Sequence, residues 1–162
     1  MFKIYIMKPI FKLIISIAVP LAVGGISGFF TASSVNSWFA TLNKPSFNPP
    51  SWLFGPVWTT LYIMMGVSFF IIWKSHAKLE KRYTGYTYYW LQLALNFLWS
   101  FLFFYFQRPD LALIDIVLLF IMIASTIFSF RKISQTAAWL LVPYLCWVAF
   151  ATALNFEIWR LN

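Results

Sequence analysis

Few side chains in this 162-residue chain are suited to acid–base, nucleophilic or metal chemistry, and those few stand apart from one another. The single histidine, His76, sits in a basic loop without the partners that a metal site or a nucleophile relay needs, so it reads as a solvated loop residue. The single cysteine, Cys146, excludes an internal disulfide and reads as a small core-packing residue. There are four acids, Glu80, Asp110, Asp115 and Glu157. Glu80 and Asp110 belong to loops or helix ends, where Asp110 can cap a helix after Pro109. Asp115 falls about one and a half turns inside an apolar run. A carboxylate there is costly and often functional, yet this depth also lets it reach an interface or pair with Arg108, and both readings stand. With no glycine-rich phosphate loop, paired catalytic carboxylates or zinc motif, neither metal nor cofactor nor side-chain covalent chemistry is expected.

The distinctive residues are aromatic: nine Trp, eight Tyr and nineteen Phe make up 22% of the chain. Trp38, Trp73 and Trp159 lie near the ends of apolar segments and fit an interfacial belt. Trp58, Trp99 and Trp147 lie deeper and fit it less well. They fall on helical stripes: Trp58, Tyr62, Met65 and Phe69; Gln92, Asn96, Trp99 and Phe103; Trp139, Pro143, Trp147 and Ala151. Such stripes serve as packing seams or as the wall of a pocket. Gln92 and Asn96 require hydrogen bonds inside the bundle or to a ligand. Pro143 frees a carbonyl one turn earlier, near residue 139.

Composition dictates what holds these stripes. The chain is 62% hydrophobic and 10% charged, too little charge to cover a water-facing surface, so the expected class is an all-α integral membrane protein. Five apolar runs, at about 10–32, 51–73, 83–106, 111–130 and 137–159, are each long enough to cross a ~30 Å hydrocarbon core. Short links make neighbours antiparallel and predict a single five-helix transmembrane bundle, one domain over 1–162. Pro20 and Gly24 inside an over-long first run argue against a cleaved signal peptide.

The net charge of +8 reflects topology rather than nucleic-acid binding. Lys3, Lys8, Lys12, Lys74, Lys78, Lys81, Arg82, Arg131 and Lys132 share one side of a five-helix arrangement, against Lys44, Arg108 and Arg160 on the other. The positive-inside rule then puts the amino terminus on the cytoplasmic side, and the expected location is a bacterial cell membrane. The one long link, 33–50, carries Lys44, Pro45, Phe47, Pro49 and Pro50, with Pro56 following in the next segment. Prolines stiffen it, and the expectation is a lid over the aromatic face of Trp58 and Tyr62.

The same residues resemble the translocator protein family, also called tryptophan-rich sensory proteins or peripheral-type benzodiazepine receptors. The resemblance covers about 12–160 and rests on Lys44-Pro45-Ser46-Phe47-Asn48-Pro49-Pro50, Gly55-Pro56-Val57-Trp58 with Leu61-Tyr62, Gln92-Leu93-Ala94-Leu95-Asn96, Pro143-Tyr144-Leu145 with Trp147, and Leu154-Asn155 with Trp159-Arg160. It implies a five-helix bundle, frequently a homodimer, with a cavity closed by the first loop. It also implies binding of porphyrins such as protoporphyrin IX and haem, as ligands rather than cofactors, and of benzodiazepine-type compounds. Carried over by position, Trp58, Tyr62, Asn96, Trp99, Trp147, Ala151 and Leu154 line that cavity. The implied role is receptor or carrier, sensory or regulatory in tetrapyrrole or stress responses. The alternatives are light-dependent porphyrin breakdown at Trp58 and Trp147, or passive transport of hydrophobic ligands. Three positions depart from the family pattern. Phe47 replaces a Trp. Phe156 breaks the cholesterol-recognition pattern that Arg160 retains, which argues against a sterol. Thr87 and Leu91 occupy the small-x-x-x-small dimer seam of the third helix.

Overall fold

The computed structural model describes residues 7–162. Lys3, one of the basic residues assigned to the amino-terminal side, lies outside them. The regular elements among the described residues are all helical: α1 (Pro9–Asn36), α2 (Trp38–Thr41), α3 (Ser51–Lys74), α4 (Leu79–Ser100), α5 (Pro109–Arg131), α6 (Gln135–Leu140) and α7 (Val142–Leu161). A π-helical turn, Phe101–Tyr105, extends α4, with the Phe106 amide donating to the Phe101 carbonyl at 2.8 Å. Counting α6 and α7 as one broken rod and the π turn with α4, five rods run up and down. Four helical segments among the described residues are long and apolar enough to cross a membrane. The α4 rod is the exception, because Glu80, Lys81 and Arg82 open it and Gln92 and Asn96 lie within it.

Helix ends differ from the sequence expectation in ways that proline and small polar residues explain. The first helix continues to Asn36, four residues past the expected end at 32, and α2 occupies part of the expected 33–50 link. Nothing breaks α1 there; Thr31 and Ser37 hydroxyls bond back to the carbonyls of Ser27 and Ser33. The non-helical part of the link is therefore the shorter stretch from Leu42 to Pro50. The fifth rod breaks at Leu141, just before Pro143. The Leu141 amide turns to Ala138, and the carbonyl of Ala137 is taken by the Ser68 hydroxyl of α3 at 2.7 Å. The freed carbonyl that finds an interhelical partner is thus at 137, two residues before the expected 139. Trp139 is 69% exposed and Pro143 is exposed, so the expected fifth-helix stripe is inward only from Trp147 onward. Cys146 is exposed as well, on the outer face rather than in the core.

The rods define two ends. Asn43, in the proline-rich link, bonds with Asn162 and the Leu161 carbonyl, tying that link to the end of α7. The turn at 106–108 belongs to the same end. Lys8, Lys12, Lys74, Lys78, Arg131 and Lys132 cluster at the opposite end, where α1 begins and α3 and α5 finish. The core between the ends is built from Met65, Tyr89, Ile116, Leu119, Tyr144 and Val148 with their neighbours. Many large apolar side chains, Phe29 at 80% and Phe128 at 66% exposed among them, point outward, as lipid contact requires.

A cavity at the link end of the bundle

A cavity of about 390 Å³ opens among α1, α2, α3, α7 and the end of the α4 rod. Its size falls within the ~300–1,000 Å³ usual for small-molecule sites. Trp58 on α3 and Trp147 on α7 meet edge to face across it, centroids 6.5 Å apart and planes at 89°. Tyr62, one turn beyond Trp58, stacks on it at 5.6 Å, so the wall extends inward as a continuous aromatic surface. Trp99, Phe103, Ala151 and Leu154 complete the side facing α4 and α7.

Six of the seven residues carried over as cavity-lining therefore lie on this one wall: Trp58, Tyr62, Trp99, Trp147, Ala151 and Leu154. Asn96 does not. It is buried behind the wall, where it accepts from the Tyr62 hydroxyl at 2.6 Å and donates to the Tyr144 hydroxyl at 2.9 Å. Its amide has the reach to bridge α3 and α7 from α4, so its hydrogen bonds are spent inside the bundle. Replacing Asn96 with leucine is expected to leave both phenols without partners and lower the thermal midpoint. The equivalent cost is ~1–2 kcal/mol in a bilayer-like medium, and a double-mutant cycle with Tyr144→Phe should show coupling rather than additivity.

The other polar atoms divide into used and unused. The Trp99 indole donates to Asn155 at 3.0 Å, and Asn155 donates onward to the Pro109 carbonyl at 2.8 Å, which fixes Trp99 in place. The Trp147 indole N–H and the Ser27 hydroxyl have no partner among the described residues, and both residues line the cavity. Asp115 is 4% exposed and does not make the expected pair, since Arg108 is bonded to Asp110 at 2.6 Å instead. Gln92, also buried, has no partner among the described residues for either side-chain polar atom, so of the two amides on its stripe only Asn96 is satisfied.

The proline-rich link sits over the same end without forming the wall itself. Lys44, Pro45, Phe47, Pro49 and Pro50 are not cavity-lining, whereas Phe39, Ser51 and Phe54 on either side of them are. Phe47 rests edge-on against Phe150 at 6.2 Å, and Phe150 packs on Trp147 at 5.5 Å. The Lys44 ammonium stands 4.8 Å over the Phe39 ring and bonds to the carbonyls of Ala40 and Leu42. The link thus touches the wall through Phe39 and Phe150. Sequence reasoning missed the contribution of α1, which brings Gly24, Ser27, Gly28 and Thr31 to the cavity. Their signal was present as small residues spaced three and four apart along one helical face.

No three His, Cys, Asp or Glu residues cluster as a metal site among the described residues. The wall offers ring faces, a few donors and apolar surface, a set suited to holding a flat apolar molecule with a polar edge.

Residues 16–160 match the TspO/MBR family. The chain is 46% identical over 153 residues to the tryptophan-rich protein TspO of Archaeoglobus fulgidus, an alignment covering 94% of this chain and 98% of that protein. It is 43% identical over 132 residues to the human translocator protein, covering 77% and 75%. It is 39% identical over 127 residues to the tryptophan-rich sensory protein of Cereibacter sphaeroides, covering 78% of each.

Proposed function

Because this chain belongs to the TspO/MBR family of integral membrane proteins, we propose that it is a membrane receptor or carrier whose cavity binds a flat aromatic ligand of the porphyrin or benzodiazepine type. The observation that carries the reading is the pair of walls formed by Trp58 and Trp147, set at right angles and backed by Tyr62. A planar ligand laid on one indole meets the edge of the other. Each such ring pair contributes ~0.5–1.5 kcal/mol beyond burial of area. The Trp147 N–H and Ser27 hydroxyl, buried and unpartnered among the described residues, are the donors that a small side-chain rotation brings to a carbonyl or carboxylate edge. The proline-rich link acts as the lid, bearing on the wall through Phe39 and Phe150. The basic end faces the cytoplasm, and the amino terminus with it.

Protoporphyrin IX added to the protein in detergent should quench tryptophan fluorescence saturably. Trp58→Phe and Trp147→Phe should each weaken the apparent affinity about three- to tenfold, in keeping with the loss of one stacking partner or donor. Quenching that does not saturate, or that neither substitution alters, would overturn the assignment.

A second reading draws on the surroundings of Trp58, whose ring lies within 5.6–6.5 Å of Tyr62, Tyr144 and Trp147. Three oxidisable rings around an indole suit light-driven oxidation of bound porphyrin by dioxygen. Illumination of the complex tests it. A defined product formed with turnover supports catalysis, and bleaching at the rate of free porphyrin rules it out.

A further inference from the structure

We propose that a second recess, at the opposite, basic end of the bundle, is a binding site for one anionic glycerophospholipid. It measures about 200 Å³ and is walled by α1 around Ser16, by Phe69 and Trp73 of α3, and by Tyr86 and Trp90 of α4. Ser16 is 4% exposed, yet its hydroxyl has no partner among the described residues. The Tyr86 hydroxyl oxygen faces the Arg82 guanidinium, which leaves its O–H as a donor. Two hydroxyl donors in an otherwise apolar recess suit a ligand that carries acceptors within an apolar body.

Trp73 gathers two cations at the mouth. The Lys12 ammonium stands 5.4 Å from the Trp73 ring centroid, over its face. Arg82 donates through Nη1 to the Trp73 and Ser75 carbonyls, while its Nε is buried without a partner. Neither cation has a carboxylate: the two salt bridges among the described residues, Arg108–Asp110 and Arg160–Glu157, are at the other end. Among the described residues the only acid at this end is Glu80 in the first turn of α4, so the positive charge there is largely uncompensated.

An anionic glycerophospholipid matches all three features. Its phosphate meets Lys12 and Arg82, its ester carbonyls accept from Ser16 and Tyr86, and an acyl chain lies along Phe69 and Trp90. Basic pockets between membrane helices hold anionic head groups by this electrostatic logic. Free phosphate shares only the contact with the cations and leaves the recess empty. A second copy of the chain offers these cations only Glu80, because Asp110 and Glu157 are already paired and Asp115 is buried.

Native mass spectrometry of the purified protein, exchanged into micelles containing phosphatidylglycerol or phosphatidylcholine with matched acyl chains, tests the site. The expected result is one retained phosphatidylglycerol per chain, preferred about tenfold over phosphatidylcholine. Lys12→Gln with Arg82→Gln should bring the two lipids to parity. Lys12→Gln alone, at a side chain making no hydrogen bond among the described residues, should lose part of the preference without disturbing the helix ends. Ser16→Leu, which fills the recess, should lose the lipid while keeping its thermal transition. Lys132→Gln, at the same end on another element, should retain it. Equal retention of both lipids by the unmodified protein overturns the site, as does equal loss in Lys132→Gln. So does complete displacement by millimolar inorganic phosphate, which marks an anion site without a lipid. A lipid-free dimer that Ser16→Leu dissociates assigns the recess to a second copy instead.

Discussion

Gly66→Ala is expected to be among the most damaging single-methyl changes in the bundle. A Cβ at Gly66 would stand 2.6 Å from both the Ile17 Cα and the Ser16 carbonyl oxygen. Both are backbone atoms, so no rotamer change relieves the clash and α1 must move away from α3. The reason these helices come so close lies four residues along α1. Pro20 has no N–H, so the Ser16 carbonyl lacks its helical donor, and α3 presents only a glycine at that point. Overpacking of this kind costs ~1–3 kcal/mol, and the backbone contact places Gly66 toward the upper part of that range. The measurement is the thermal midpoint in detergent, with Gly55→Ala as the comparison. Gly55 has nothing within 4 Å of the added carbon, and its substitution should leave the midpoint unchanged or slightly higher. Equal midpoints for both variants would show that α1 and α3 yield easily.

That close crossing shows where the sequence was and was not legible. The apolar runs pointed to an all-helical membrane bundle because lipid leaves the backbone little choice but helix, and four of the helical segments are long and apolar enough to cross a membrane. Their ends were less readable. The extension of α1 to Asn36 rests on hydroxyls bonding back to carbonyls one turn earlier, a choice that Ser and Thr make only in context. The break at Leu141 followed from Pro143, but which carbonyl would be released depended on Ser68 arriving from α3. For the cavity, the stripe of Trp58 and Tyr62 and the inward Trp147 and Ala151 followed from helical spacing together with the family resemblance. Asn96 shared the stripe of Trp99, but spacing alone does not say whether a polar side chain faces a cavity or a neighbouring phenol. The role of α1 was hidden for a related reason. Glycine and serine carry no aromatic signal, and their value lies in the room they leave.

Gly24 and Gly25 separate these two uses of small residues. A Cβ on Gly24 collides with three atoms of the Tyr62 ring, whereas one on Gly25 has nothing within 4 Å. Both glycines line the cavity, so a methyl group at either position removes similar volume. Only the first pushes Tyr62. That ring cannot shift freely, because its hydroxyl is held by Asn96 at 2.6 Å and its face is stacked on Trp58 at 5.6 Å. Moving it either stretches the hydrogen bond or tilts the indole, and each changes the wall on which a planar ligand would lie. Gly24→Ala is therefore expected to weaken porphyrin binding about tenfold, the equivalent of ~1.4 kcal/mol. It should lower the thermal midpoint as well. Gly25→Ala should stay within about twofold of the unmodified protein, because a lone methyl in open space strains nothing. Fluorescence quenching titrations on the two variants make the comparison. A double variant, Gly24→Ala with Tyr62→Leu, adds the mechanistic step: with the ring gone, the alanine should carry little further penalty. If Gly24→Ala and Gly25→Ala weaken binding alike, the cavity responds to volume alone, and the Tyr62–Asn96–Tyr144 chain does not hold its wall in position.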